Sequence, residues 1–261
     1  MKKIALTSLI AMFAFAGAHA ANVIDGNPLY MPKKGHAYSV TTLGSHSGSE
    51  EIKSWGAEEE FGYGITDKLA VTVDTTVTDE RSFDQWAWDD MSFGLTFRAL
   101  EKGAWKLDLV GGYSVGPVWD NHRPFLDKDD TGYAWTVGVR GGYVASNWTV
   151  AGHALFNYLN TESFNWNDDG MHVWQLGVDA QYVMCPHMNV VAGVEYTGLT
   201  DSWAKNAGSW DATLGLNFNI DTTKYVGVYV GAEMDHQGGA NNDEWDVQNG
   251  FNFGAKFGID F

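Results

Sequence analysis

Charged side chains stand at alternate positions of otherwise apolar segments, and they are the residues in this sequence best suited to act on an ion or a polar solute. When such side chains face a narrow water-filled space, their electric field sorts solutes without any chemical step. The cations fall on one side of the predicted arrangement and most carboxylates on the other. We therefore expect a transverse field and a preference for cations or neutral polar solutes. The candidates are Arg98, Lys106, Asp108, Arg140, Asp179, Glu195, Asp211 and Glu233.

The elements that must position these residues are short segments in which apolar and polar residues alternate. A period of two over about ten residues, repeated along a chain, is typical of β-barrels whose strands separate two environments. Twelve segments are predicted as strands, at residues 36–44, 52–65, 69–77, 89–100, 105–116, 132–144, 148–159, 171–183, 188–198, 210–220, 225–234 and 245–261. The predicted fold is all-β: a transmembrane, antiparallel up-and-down barrel.

The connections between the predicted strands alternate between short and long. Residues 66–68, for example, form a short connection, whereas the loop at residues 118–132 is the longest connection. Short turns at one rim and long loops at the other describe an outer-membrane barrel with periplasmic turns, extracellular loops and both termini in the periplasm. That arrangement requires an even number of strands, which twelve satisfies.

Aromatic residues recur eight positions apart within the predicted strands. Eight residues at about 3.3 Å each, tilted by about 40°, rise roughly 20 Å, which approximates the height of the apolar band of a membrane barrel. Since Trp and Tyr favour both membrane interfaces, these residues are predicted to form two girdles. A soluble β-sandwich would explain the alternation but not this spacing. The predicted girdle residues are Trp105, Tyr113, Trp135, Tyr143, Trp148, Phe156, Trp174, Tyr182, Trp210, Phe218 and Phe253.

The alternation continues to the last residue of the chain, in the segment FNFGAKFGIDF at 251–261. A strand in hydrocarbon cannot leave its backbone groups unpaired, so this strand is predicted to pair with the first one and close the barrel. The segment resembles the C-terminal signal of bacterial outer-membrane proteins, which implies that Phe261 is read by the barrel assembly machinery. FGYGITDKLAVTV (61–73) also resembles the strand–turn–strand of porin-like families, including those associated with phenol meta-cleavage pathways.

The first residues of the chain read as a secretory signal. Lys2 and Lys3 precede an apolar run, and Ala18-His19-Ala20 is a cleavage pattern, so residues 1–20 are predicted to be removed. Residues 21–35 are then predicted as a periplasmic N-terminal segment and 36–261 as the barrel. A single cysteine excludes an intramolecular disulfide. Loss of the two lysines takes the formal net charge from -17 to about -19, which argues against a nucleic-acid partner.

Three functions remain open from the residues alone. The favoured one is a narrow porin-like channel for passive diffusion of small polar or cationic solutes in a Gram-negative outer membrane. The first alternative is a closed, non-conducting barrel in which the inner charges pair with one another and the loops contact lipopolysaccharide or another surface. The third is an outer-membrane hydrolase, but His172 has no Ser predicted beside it on a neighbouring strand. No enzymatic activity, catalytic residue, metal or cofactor is predicted.

One residue does not fit the predicted alternation. Glu59 shares the parity of Trp55, Phe61 and Tyr63, which places a carboxylate on the lipid-facing side where it is costly. A β-bulge near 57–60 is expected to turn it inward. The eleventh strand lacks the girdle spacing, and its parity predicts that Tyr229 faces inward.

Overall fold

Each alternating segment forms one strand of a single antiparallel sheet in the computed structural model of the chain. The structure describes residues 26–48, 53–79, 86–117, 131–160, 171–200, 208–236 and 250–261, so the predicted signal peptide at 1–20 lies outside the described residues. For β1–β11 the bounds differ from the predicted ones by at most four residues. The strands are β1 (Ala37–Gly48), β2 (Lys53–Thr66), β3 (Leu69–Asp79), β4 (Trp86–Lys102), β5 (Trp105–Pro117), β6 (Thr131–Val144), β7 (Trp148–Asn160), β8 (Met171–Cys185), β9 (Met188–Leu199), β10 (Gly208–Asn219), β11 (Lys224–His236) and β12 (Gly250–Asp260).

The sheet closes because the last strand pairs with the first. Registered pairs run from Tyr38 opposite Asp260 to Gly48 opposite Gly250. The terminal residue takes part, since the Phe261 N–H donates to the Ala37 carbonyl at 2.8 Å and the Ala37 N–H donates back at 3.3 Å. A closed sheet has no unpaired edge. The prediction of a closed, twelve-stranded antiparallel barrel is therefore confirmed.

Five connections at one end of the barrel are short, and we call this end the turn rim. They join β2 to β3, β4 to β5, β6 to β7, β8 to β9 and β10 to β11. In the β4–β5 turn, Gly103 has a φ of 60°, a conformation that glycine adopts without strain. In the β10–β11 turn, hydrogen bonds from Thr223 hold the pKa of the Asp221 carboxyl below its usual range. The opposite end is the loop rim, and its connections fall almost entirely on residues outside the described ranges, so the predicted long loops stay a prediction.

The pleat of each strand separates a polar inner face from an apolar outer one. Along β7 the inward positions, such as Thr149, His153 and Asn157, are buried, while Trp148 and Val150 are exposed on the outer wall. Buried polar residues thus occupy the interior, and large apolar side chains cover the outside. Tyr229 faces inward as predicted, with Lys256 5.4 Å from the centre of its ring. Within the described residues, no helix is long and apolar enough to cross a membrane.

The expected bulge near 57–60 is wrong. The register of β2 is unbroken through this region, where Glu59 lies opposite Thr41 on one side and Thr75 on the other. Its side chain is exposed on the outer wall and accepts hydrogen bonds from the hydroxyls of Ser39 and Thr41, the latter at 2.6 Å. These two donors on the neighbouring strand satisfy the carboxylate where it stands, so no change of register is required.

Candidate functional site

Most of the predicted lumen charges form one continuous row of register partners, which we call the charged belt. Each member lies directly opposite the next on the neighbouring strand, with Gly177 filling the position on β8. The row therefore crosses eight adjacent strands, from β4 to β11, without a gap. Its members, in order, are Arg98, Asp108, Arg140, His153, Gly177, Glu195, Asp211 and Glu233.

The charged belt runs obliquely along the barrel. Arg98 lies near the end of β4 at the turn rim, whereas Glu233 lies near the end of β11 at the loop rim. Barrel strands tilt relative to the axis, so a row of register partners climbs as it passes around the wall. The cationic end of the belt is therefore close to one mouth of the lumen and the acidic end is closer to the other.

At the cationic end, two guanidinium groups surround one carboxylate, an arrangement we call the arginine clamp. Arg98 contacts Asp108 through Nε to Oδ1 at 2.8 Å and Nη2 to Oδ2 at 3.1 Å. Arg140 contacts the same carboxylate through Nη2 to Oδ2 at 2.9 Å. Asp108 is completely buried, and both arginines are nearly so. Paired arginines on a buried carboxylate form strong, geometrically specific hydrogen bonds.

The arginine clamp also holds the chain segment that precedes β1. Arg98 Nη2 donates to the main-chain carbonyl of Leu29 at 2.7 Å, and Arg140 Nη2 donates to that of Tyr30 at 3.3 Å. The Leu29 side chain has no exposed surface. The Tyr30 ring packs edge-on against Tyr38 of β1, with 5.8 Å between the ring centres. The segment is thus packed inside the barrel by both polar and apolar contacts.

The two ends of this segment touch different walls of the lumen. At one end, a Cβ on Gly26 would lie 2.3 Å from Cγ1 of Val191 on β9, so the backbone is pressed against that wall. At the other end, the Gly35 N–H donates to the carbonyl of Gly64 on β2 at 2.8 Å. Residues 26–35, which we call the N-terminal segment, therefore cross the lumen near the turn rim.

In the middle of the belt, His153 lies between two carboxylates. Its Nδ1 is 3.1 Å from Oδ2 of Asp179, and its Nε2 is 2.8 Å from Oε2 of Glu195. An imidazole with both nitrogens protonated donates to both carboxylates, so the geometry suits a positively charged ring. Reaching β9 from β7 requires the ring to pass over β8. Gly177 allows this, because a Cβ there would lie 2.3 Å from Cε1 of His153.

The acidic end of the belt consists of three carboxylates on adjacent strands. Glu195, Asp211 and Glu233 lie opposite one another on β9, β10 and β11. Glu195 Oε1 also accepts a hydrogen bond from Gln175 at 3.1 Å, and Gln175 in turn accepts one from Asn157 at 2.7 Å. Within the described residues, no group of three or more His, Cys, Asp or Glu side chains is arranged to hold a metal ion. Because all three side chains end in carboxyl groups, the arrangement supplies a negative field and hydrogen-bond acceptors.

The structure brings most of the predicted lumen residues together and leaves two off the belt. Asp179 joins it only through His153. Lys106 lies at the turn rim and pairs with Glu101 at 3.4 Å. Sequence reasoning did not predict the packing of Leu29 and Tyr30 against the arginines, although the apolar run PLYM at 28–31 is a signal that could have indicated burial.

The predicted girdle residues lie on the outer wall in two rows. Several neighbouring rings are in contact: Trp105 packs edge-on against Tyr143 with 5.1 Å between ring centres, and Phe156 packs at a tilt against Trp174 with 4.8 Å between ring centres. Their position at two membrane interfaces stays a prediction. The row near the turn rim contains Trp105, Tyr143, Trp148, Tyr182 and Phe218, and the row near the loop rim contains Tyr113, Trp135, Phe156, Trp174, Trp210 and Phe253.

No protein-family model matches the chain, and no curated protein matches it in sequence. Solved structures do resemble it. The NanC porin has a TM-score of 0.60 at 10% identity, covering 84% of this chain and 98% of that one. The translocator domain of the autotransporter NalP from Neisseria meningitidis has a TM-score of 0.62 at 12% identity, covering 97% and 98%. An outer-membrane channel from Pseudomonas putida F1 has a TM-score of 0.60 at 12% identity, covering 92% and 100%.

At these identities the likeness establishes the fold, which is that of outer-membrane β-barrels. The predicted resemblance to such proteins is confirmed at this level. The narrower resemblance of residues 61–73 to porin-like families of phenol degradation stays a prediction.

Proposed function

We propose that the chain is a narrow outer-membrane channel for small polar or cationic solutes, and that the N-terminal segment closes it near the turn rim in the conformation described. The observation that carries the proposal is the acidic end of the charged belt. Three carboxylates, Glu195, Asp211 and Glu233, face the lumen on adjacent strands, and among the described inward-facing residues of β7–β11 the only basic side chain is His153. Such a wall attracts cations and repels anions.

The width of the barrel supports a narrow passage. Eight strands leave an interior that side chains fill, while sixteen or more leave an aqueous channel, and twelve lie between these limits. The channels among the structural neighbours share this architecture at low identity. The proposed location follows from the apolar outer wall and its two aromatic rows. There we expect contacts with lipid and lipopolysaccharide, and recognition of Phe261 by the barrel assembly machinery.

A closed barrel is the second candidate, and two specific observations favour it. The N-terminal segment crosses the lumen and is bound by two buried arginines, while Asn157, Gln175 and Glu195 bond to one another across the wall. A hydrolase has no comparable support, since His172 packs against the rings of Phe156 and Tyr158 on the outer wall. The absence of an enzymatic activity stays a prediction.

Conductance in planar lipid bilayers separates the channel from the closed barrel. The refolded mature chain is compared with a variant that lacks residues 26–34. Because the segment crosses the lumen, we expect small or brief currents from the intact chain, a several-fold larger conductance from the deletion, and a cation-selective reversal potential in both. A Leu29→Asp variant, which places a charge at a fully buried position, checks that the effect comes from release of the segment.

Each outcome bears on a different part of the proposal. Absence of current from the intact chain and both variants would leave the closed barrel as the function. An anion-selective reversal potential would contradict the role of the acidic wall. Equal conductance of the intact chain and the deletion would contradict closure by the N-terminal segment.

A further inference from the structure

The inner wall of β12 carries a lysine that belongs neither to the arginine clamp nor to the charged belt. Lys256 faces the lumen, and its Nζ lies 5.4 Å from the centre of the Tyr229 ring on the neighbouring strand β11. The face of an aromatic ring attracts a cation that lies within about 6 Å of the ring centre. The Tyr229 ring therefore forms one side of the environment of this ammonium group.

Glycines on two strands make room for the Tyr229 ring. A Cβ on Gly254 of β12 would lie 2.6 Å from Cε1 and from Oη of Tyr229, and a Cβ on Gly44 of β1 would lie 2.5 Å from the same hydroxyl oxygen. Gly254 is the register partner of both Tyr229 and Gly44. The ring therefore lies along the inner wall, and the ammonium group of Lys256 over it is on the lumen side.

Carboxylates on two parts of the wall act on this ammonium group. Lys256, Thr42 and Glu58 are successive register partners on β12, β1 and β2, so Glu58 lies two strands away in the same row. The carboxylates of Glu58, Glu60 and Asp179 all interact electrostatically with Lys256. An aromatic face together with negative charges is the environment in which proteins bind ammonium groups.

Asp179 stands four strands away from Lys256 at nearly the same depth in the lumen. From Lys256 the row of register partners passes through β11, β10 and β9 to Val183 on β8, and Asp179 lies four residues closer to the loop rim. The row descends by roughly 12 Å over these strands and four residues rise by roughly 10 Å, so the difference in depth is about 2 Å. Asp179 is also bonded to His153 at 3.1 Å. Lys256 therefore faces the His153–Asp179 pair across the lumen.

We infer that Lys256 is a tethered cation that limits the passage of cations, because its ammonium group occupies the position on the Tyr229 ring that a solute would take. The solutes that fit are small organic cations with a primary ammonium group, which matches the end of a lysine side chain. Passage requires that a solute binds and also leaves. A tethered competitor has a high effective concentration and so weakens the binding of the solute. Selection during transport rests on the proposed function, whereas the ammonium position on Tyr229 does not depend on conduction.

Binding of methylammonium chloride to the refolded mature chain tests the role of Lys256. Lys256→Met removes the ammonium group and keeps an unbranched side chain. Lys106→Met is the matched control, because it removes the same charge at the turn rim. Dissociation constants are measured by saturation-transfer NMR in detergent. We expect methylammonium to bind Lys256→Met roughly ten-fold more tightly than the intact chain, since the tethered competitor is gone, and Lys106→Met to match the intact chain. Adding Glu58→Gln to Lys256→Met should weaken the binding several-fold.

The same variants are compared in planar bilayers with a gradient of methylammonium chloride. Because Lys256→Met removes a positive charge from the lumen, we expect its permeability ratio of methylammonium over chloride to rise roughly five-fold. The ratio of Lys106→Met should stay close to that of the intact chain. Circular dichroism checks that each barrel is intact, and Lys256→Gln provides the same comparison if the Met variant does not refold.

The binding and conductance results test different claims. Equal dissociation constants for the intact chain and Lys256→Met would overturn the inference. An equal gain in Lys106→Met would show a general effect of net charge and would also overturn it. Tighter binding by Lys256→Met without current from any variant would support the ammonium position and contradict the channel. Current with unchanged methylammonium binding would contradict only the role of Lys256.

Discussion

The arginine clamp and the acidic end of the charged belt lie in the same row of register partners, yet their surroundings differ. In the clamp, Arg98 and Arg140 are bound to Asp108 and to carbonyls of the N-terminal segment, so the chain itself satisfies these charges. At the acidic end, Glu195 contacts His153 and accepts a hydrogen bond from Gln175, whereas Asp211 lies between the carboxyl groups of Glu195 and Glu233. The parity of a strand therefore identifies which charges face inward. Only the three-dimensional neighbours tell which of them remain available to a solute.

The largest expected effect is on stability, at the clamp. Asp108→Ala would leave two buried guanidinium groups without their shared carboxylate, and removing one member of a buried ion pair costs about 3–5 kcal/mol. Asp179→Ala on the other wall should cost only about 1–2 kcal/mol, because His153 keeps Glu195 and the Asp179 side chain is partly exposed. Urea unfolding of the refolded barrels, followed by tryptophan fluorescence, measures both. Equal losses of unfolding free energy in Asp108→Ala and Asp179→Ala would show that the carboxylate of the clamp is no more important for stability than the carboxylate of Asp179.

A smaller effect is expected on selectivity, at the acidic end. Replacing Glu195 with Gln and Asp211 with Asn removes two negative charges while nearly preserving volume. We expect the cation-over-anion permeability ratio to fall by roughly five-fold, which corresponds to about 1 kcal/mol of electrostatic potential in the lumen. Reversal potentials in a salt gradient provide the measurement, with Glu59→Gln on the outer wall as the control. An unchanged ratio would mean that this wall does not face the permeating ions.

The smallest effect is expected at Lys106, which the sequence placed with the other lumen cations. Its ion pair with Glu101 has a distance of 3.4 Å and lies at the partly exposed turn rim. Because water screens such pairs, Lys106→Met should change the free energy of unfolding by less than about 1 kcal/mol. The same urea titration tests it. A loss close to that of Asp108→Ala would show that the clamp extends to this residue.

The strands and the closed barrel could be predicted because their cause is local. A strand between lipid and lumen must alternate, and Phe251 to Phe261 does so to the last residue. The Arg98–Asp108 pair is nearly as accessible to prediction, since one tight turn joins their strands. The third member, Arg140, requires the register of another strand pair. No single segment of the sequence shows how β5 and β6 align, because a long connection separates them.

The features that were missed depend on contacts between distant parts of the chain. Residues 26–35 show no period, and their burial follows from carbonyl contacts with arginines about 70 and 110 residues away. Glu59 was expected to turn inward because parity alone puts a carboxylate in lipid. It stays outside because Ser39 and Thr41, about twenty residues earlier, supply donors. Periodicity predicts which face of a strand a side chain occupies. Pairing between distant parts of the chain determines which groups that side chain contacts.

The oblique course of the charged belt has a consequence for any particle that moves through this barrel. A ring of charges at one level would act on a passing ion at a single depth in the lumen. A row that climbs along the wall instead places Glu233, Asp211 and Glu195 at successive depths, so a cation entering from the loop rim would meet these carboxylates one after another before it reached His153 and the arginine clamp. Selectivity would then be spread along the path, and no single substitution would abolish it.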